Sequence, residues 1–131
     1  MEPLYIEKTE ATPYIELNDL TKKFVISGES RPENVTQFYV PVFNWFNNYF
    51  NNNNDSAEQR NINLEIHFDY FNSTTGKAIY ELIAKIKTET ITTGAEFKVT
   101  WKYNKFDEDL LETGKELALL LKVNFEFVAL N

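Results

Sequence analysis

Three consecutive hydroxyl side chains, Ser73, Thr74 and Thr75, stand between Asn72 and the pair Gly76-Lys77, where a run of alternating apolar and polar residues gives way to helical spacing. Hydroxyls at the mouth of a helix have two chemistries open to them. One oxygen can cap the helix by accepting a first-turn N–H. Alternatively, a kinase can esterify one of them, and the phosphate then sits where backbone N–H groups and the helix dipole favour an anion. Gly76-Lys77 does not turn the segment into a nucleotide-binding loop. The Walker pattern requires a glycine where Phe71 stands and a Ser or Thr where Ala78 stands.

Other chemistry-bearing residues are sparse. His67 is the only histidine, and Glu65 and Asp69, two residues to either side, share its face of an extended strand. That trio is a conceivable metal or small-ligand site, but it lacks the spacing of a known ligand set and reads more simply as a solvated sheet face. Asp107-Glu108-Asp109 places negative charge in the first turn of a helix, where the dipole favours it. With no cysteine in the chain, thiol nucleophiles, thiolate metal sites and disulfides are excluded. No nucleophile–base pair, glycine-rich loop or metal cluster emerges, so the chain reads as a non-enzyme with no catalytic residue, metal or cofactor.

The elements that hold the hydroxyl cluster follow from periodicity. Ile62, Leu64, Ile66, Phe68 and Tyr70 alternate with Asn63, Glu65, His67 and Asp69, and Phe97, Val99, Trp101 and Tyr103 alternate with Lys98, Thr100 and Lys102. Both segments are strands with one buried and one wet face. Between them Ile79, Leu82, Ile83 and Ile86 form a helical stripe, and Leu110, Leu111, Leu117, Ala118 and Leu121 form another, followed by a short strand over residues 125–128. Upstream, residues 4–6, 14–17 and 24–27 are strand candidates. Ser30, Pro32 and Glu33 have the spacing of a capping box, which predicts a helix starting there. Val35, Phe38, Tyr39, Val42, Phe43, Phe46, Tyr49 and Phe50 continue it as an aromatic-faced helix, with Trp45 off the stripe as a candidate contact residue. Pro41 should kink this helix or divide it in two. The asparagine-rich residues 47–61 read as a loop.

Strands separated by helices imply parallel pairing and helices on one face, so the expected fold is a two-layer α/β domain with a mixed, mostly parallel sheet. Loops leaving the carboxyl ends of parallel strands gather along one edge. Residues 28–34, 72–76 and 104–107 should therefore meet there.

At 131 residues the chain is sized for a single domain with one core, and 11 Phe, 7 Tyr and 2 Trp supply that core. The formal net charge is −7 and the basic residues are scattered, which argues against nucleic acid as a partner and for protein partners. No leader-like segment or membrane-length apolar run is visible, which predicts a cytoplasmic protein without membrane insertion.

Gly28-Glu29-Ser30-Arg31-Pro32-Glu33-Asn34, Phe43-Asn44-Trp45-Phe46, Tyr70-Phe71-Asn72-Ser73-Thr74-Thr75, Val99-Thr100-Trp101-Lys102-Tyr103 and Phe125-Glu126-Phe127-Val128 together resemble the SiaC family of bacterial regulatory phosphoproteins, in order over about residues 10–130. The resemblance implies a STAS-like fold, as in anti-sigma-factor antagonists, and partner switching in cyclic di-GMP signalling. It implies a Ser/Thr protein kinase (SiaB-like) that phosphorylates the hydroxyl after Asn72, namely Ser73, and a PP2C-type phosphatase (SiaA-like) that reverses this. The unmodified form would bind a diguanylate cyclase through a surface around Asn72, Thr74, Thr75 and Lys77. The alternative is a constitutive protein-binding domain in which Ser73 only caps a helix.

Overall fold

The computed structural model describes residues 1–51 and 61–131. In chain order the elements are β1 (Leu4–Ile6), β2 (Tyr14–Asn18), β3 (Lys23–Ser30), α1 (Val35–Asn51), β4 (Ile62–Phe71), α2 (Ser73–Thr93), β5 (Phe97–Asn104), α3 (Glu108–Leu121) and β6 (Asn124–Leu130). The six strands form one sheet in sequence order. β1, β2 and β3 pair antiparallel, and β3, β4, β5 and β6 pair parallel. α1 touches α2 and α2 touches α3, making a second layer.

The core lies between the layers. From the sheet it takes Ile15, Leu17, Phe24, Ile26, Ile62, Leu64, Ile66, Phe68, Val99 and Trp101, the alternate residues that periodicity selects. Polar pairs occupy the open face instead, among them Lys102–Glu65 at 3.2 Å, Lys98–Glu126 at 3.3 Å and Thr100 Oγ1 donating to Asn63 Oδ1 at 2.9 Å. These exposed ion pairs add little stability but keep that face wet.

Five expectations are corrected. Ser30 does not cap a helix. Residues 28–30 continue β3 and pair with Phe68, Tyr70 and Phe71, because Pro32 disfavours helical geometry in the residue before it and parallel pairing satisfies the backbone. Asn34 caps α1 instead, its Oδ1 accepting from Gln37 N at 3.0 Å.

Pro41 does not divide α1, which is one run of 17 residues. The proline lies on the exposed side, where water can serve the carbonyl it leaves unpaired. The opposite face buries Val35, Tyr39, Val42, Trp45, Phe46 and Tyr49, offsetting the local cost. Trp45 belongs to this core rather than to a contact surface: it stacks on Tyr49 at 5.2 Å and its indole N–H donates to the Glu2 carbonyl at 2.9 Å.

Residues 47–51 are helix rather than loop, since Tyr49 and Phe50 extend the apolar stripe. Of the rest of that asparagine-rich stretch, residues 52–60 lie outside the described residues, and Asn61 Oδ1 accepts from Glu96 N at 2.8 Å.

Tyr70, finally, is 52% exposed and does not share the buried face. The β3–β4 register steps from Gly28↔Phe68 to Glu29↔Tyr70, so Asp69 is an extra residue and the faces exchange beyond it. Gly28, at φ +121°, supplies the backbone this irregularity requires. Phe71 turns inward in consequence, with its ring 5.0 Å from Phe68 and 6.2 Å from Trp101.

Candidate functional site

The strand-to-helix junction gives each polar residue a distinct place. Asn72, at φ −83° and ψ 170°, is the N-cap of α2, and its Oδ1 accepts from Thr75 N at 2.8 Å. Its own N–H donates to the Ser30 carbonyl at 3.1 Å, tying the junction to the end of β3. Capping therefore falls to Asn72, and Ser73 does not perform it. Asn72→Ala should cost about 1 kcal/mol, read as a lower urea midpoint.

Helical rotation then separates the three hydroxyls. Ser73 and Thr74 are exposed, whereas Thr75 is fully buried. Thr75 Oγ1 lies 2.9 Å from Ser30 Oγ and 3.2 Å from the Ser30 carbonyl, to which it donates. Ser30 Oγ in turn lies 2.9 Å from the Tyr39 hydroxyl. Burial raises the Tyr39 pKa, so the phenol stays neutral and the chain of hydroxyls carries no charge. This network links β3, α1 and α2, and it holds the first turn of α2 in one position. In Thr75→Val the shape is kept but Ser30 loses a partner. A loss of about 1–3 kcal/mol is expected, lowering the melting temperature by roughly 5–10 °C; an unchanged melting curve would show that the network does not hold the turn. The sequence contains no signal for Tyr39 in this role, because its partner Ser30 is brought to it only by strand pairing.

Outside the network Ser73 faces a cleft of about 540 Å³ lined with Asp69, Tyr70, Asn72, Gly76, Asp107, Asp109 and Thr113. Asp69, Asp107 and Asp109 also line an adjoining cleft of about 810 Å³ with His67, Asn104 and Phe106. The two open side by side at the carboxyl ends of β4 and β5. The three loops expected to gather at this edge do meet: Ser30 bonds to Asn72 and Thr75, and Asp107 shares the cleft with Ser73. Gly76 lets the chain pass close to Phe71, whose ring a Cβ there would meet at 3.3 Å. Phe106 and Tyr70 flank the openings at 82% and 52% exposure. Apolar rings left in water beside a polar cleft are a feature of docking surfaces. Lys77, one turn into α2, is exposed.

Of the carboxylates that crowd this edge, Asp107 falls in a segment expected to meet residues 72–76, whereas Asp69 and Asp109 are the ones sequence reasoning did not connect to Ser73. Asp107, expected within the first turn of a helix, is instead the N-cap of α3, its Oδ1 accepting from Leu110 N at 3.0 Å. At the His67 trio, the Glu65 carboxylate is taken by Lys102, and His67 Nε2 lies 4.0 Å from Asp69 Oδ1. Among the described residues no three His, Cys, Asp or Glu side chains are grouped to hold a metal. No helix among them is long and apolar enough to cross a membrane.

The family model for the SiaC family of regulatory phosphoproteins matches residues 6–130, nearly the whole chain. This protein belongs to the SiaC family. A relative in sequence is an uncharacterised protein of Pseudomonas aeruginosa strain UCBPP-PA14, 24% identical over 116 residues, which span 88% of this chain and 87% of the relative. The crystal structure of apo-SiaC from Pseudomonas aeruginosa superposes with a TM-score of 0.83 at 23% identity, covering 98% of this chain and 100% of that one. A second SiaC chain, crystallised from the same organism with the diguanylate cyclase SiaD that it activates, superposes equally well, with a TM-score of 0.83 at 24% identity over 97% of this chain and 99% of that one. The six-stranded mixed sheet with one layer of three helices is thus the SiaC fold.

Proposed function

We propose that this chain is a non-catalytic regulator whose unmodified form binds and activates a diguanylate cyclase, and that phosphorylation of Ser73 prevents this. The kinase is SiaB-like and the opposing phosphatase is of the PP2C type, SiaA-like. One observation carries the reading: Ser73 is free of structural duty and exposed at the lip of a cleft between the β4–α2 and β5–α3 junctions, while Asn72 does the capping and Thr75 is sealed inside. The complex of SiaD with its activator SiaC supports the choice of target class.

In the modification step Ser73 Oγ forms a bond to the γ-phosphorus of a nucleoside triphosphate. The bond from that phosphorus to the diphosphate leaving group breaks, and the hydroxyl proton passes to a base of the kinase. The phosphatase restores the hydroxyl with water and releases inorganic phosphate. A dianion on Ser73 adds about −1.5 to −2 charges beside Asp69, Asp107 and Asp109. Neither Ser73 N nor Thr74 N, the first amides of α2, has an acceptor among the described residues, so the helix itself tolerates the charge. A partner covering the cleft must instead desolvate it, which costs several kcal/mol unless a cation is supplied. Domain structure is therefore retained while binding is lost.

The test is to incubate the purified chain with ATP and its SiaB-like kinase, map the product by phosphopeptide mass spectrometry, and measure cyclase binding before and after. Phosphate on Ser73 with loss of binding supports the proposal. Phosphate on Thr74 alone, or equal binding by both forms, refutes it.

A further inference from the structure

We propose that Lys77 is the intramolecular counterion of a phosphate on Ser73, and that its capture is how the modification reaches the partner surface. The inference rests on the reading of Ser73 as the acceptor. Ser73 is the first residue of α2 and Lys77 lies four residues on, so their Cβ atoms sit on one stripe about 5–6 Å apart. An anion at i with a cation at i+4 is the more favourable order for a helical ion pair. Lys77 is exposed and makes no ion pair or hydrogen bond among the described residues, so its ammonium is available.

Charge on the other elements directs the phosphate toward it. Asp69 at the end of β4, and Asp107 and Asp109 at the start of α3, line the cleft on which Ser73 borders, with Glu108 beside them in the adjoining one. No Lys or Arg lines either cleft among the described residues. Lys105, on the same edge, lies over the Phe106 ring at 5.0 Å. A phosphate turning into the cleft meets carboxylates; turning along α2 it meets Lys77. Glu81, four residues beyond Lys77, competes for the ammonium, but in the weaker cation-before-anion order.

In the unmodified protein this leaves an exposed cation beside two exposed hydroxyls, suited to a carboxylate on the target. Once phosphorylated, the same turn carries a net negative charge and its ammonium is engaged. Two changes thus arise from one ester: an anion appears and a cation is withdrawn.

The experiment uses the full chain as wild type, Lys77→Gln and Lys77→Arg, each with serine or with phosphoserine installed during translation at position 73, so that no kinase is required. The second ionisation of the phosphate is followed by phosphorus NMR, and binding to the purified diguanylate cyclase is measured for all six proteins. Lys77 favours the dianion and lowers that pKa, while the neighbouring carboxylates raise it in every variant equally. Lys77→Gln should therefore raise it by about 0.15–0.4 pH unit, and Lys77→Arg should restore it. Unmodified Lys77→Gln should bind the cyclase about tenfold more weakly, with phosphoserine adding a smaller further loss than in wild type. Identical phosphate titrations in all three proteins would overturn the pairing, and wild-type affinity in unmodified Lys77→Gln would overturn the withdrawal of a target contact. A shifted titration combined with cyclase binding indifferent to phosphoserine would uphold the pairing while refuting the switch.

Discussion

Ser73→Asp should bind the diguanylate cyclase at least tenfold more weakly than wild type, and phosphorylated protein about a hundredfold more weakly, with no measurable change in melting temperature. The ranking follows from charge. Aspartate brings one negative charge on a short side chain, whereas phosphate brings nearly two with three acceptor oxygens, and each tenfold in affinity corresponds to about 1.4 kcal/mol. Stability should be unaffected because Ser73 is exposed and takes no part in the Asn72 cap or the Thr75–Ser30–Tyr39 network. Ser73→Ala supplies the complementary result: it should fold, bind the cyclase as the unmodified protein does, and yield no phosphopeptide at this position. Isothermal calorimetry at two salt concentrations checks the origin of the effect. An electrostatic penalty shrinks as salt rises, while a purely steric one does not.

The second large effect concerns a residue far from Ser73 in sequence. Gly114→Ala should destabilise the protein by about 2 kcal/mol, even though alanine is the better helix former by about 1 kcal/mol at an open position. A Cβ at Gly114 would lie 2.6 Å from Trp101 Nε1 and 2.8 Å from two of its ring carbons. Trp101 is only 1% exposed, its indole N–H donates to the Leu110 carbonyl at 3.1 Å, and its ring is flanked by Phe71 and Phe125. With no free direction in which to move, the ring must push α3 away from the sheet or give up its hydrogen bond. Asp107 and Asp109 lie at the start of that helix. Urea unfolding followed by tryptophan fluorescence measures the loss, with Glu112→Ala, an exposed position on the same helix, as the control. A rise in the Gly114→Ala midpoint would show that α3 is loosely seated.

Much of the architecture is legible in the residues themselves. The alternation of β4 as far as Phe68 and of β5, with the helical stripes of α2 and α3, locates four of the nine elements among the described residues, because each periodicity reports a buried face. What escapes sequence reading is what depends on a partner strand. Ser30, Pro32 and Glu33 match a helix start locally, yet pairing of β3 with β4 claims Ser30 first. Tyr70 and Phe71 exchange faces because of one extra residue whose existence is visible only in the register between two strands. Pro41 weighs heavily against a continuous helix until the aromatic face of α1 is set against it. At the site, the place of the hydroxyl cluster at the start of α2 could be read from the sequence, but not the division of labour among Asn72, Ser73 and Thr75, which is set by which side of α2 meets Ser30.

The strands lie in the sheet in the order in which they occur along the chain. Every strand after the first can therefore add to a neighbour already made, with no gap to be held open for a later segment. Synthesis from the N-terminus would lay down the β1–β3 meander, then extend it one helix-and-strand unit at a time. Truncated nascent chains halted after β4 should accordingly resist proteolysis over their first three strands, long before the last helix has left the ribosome.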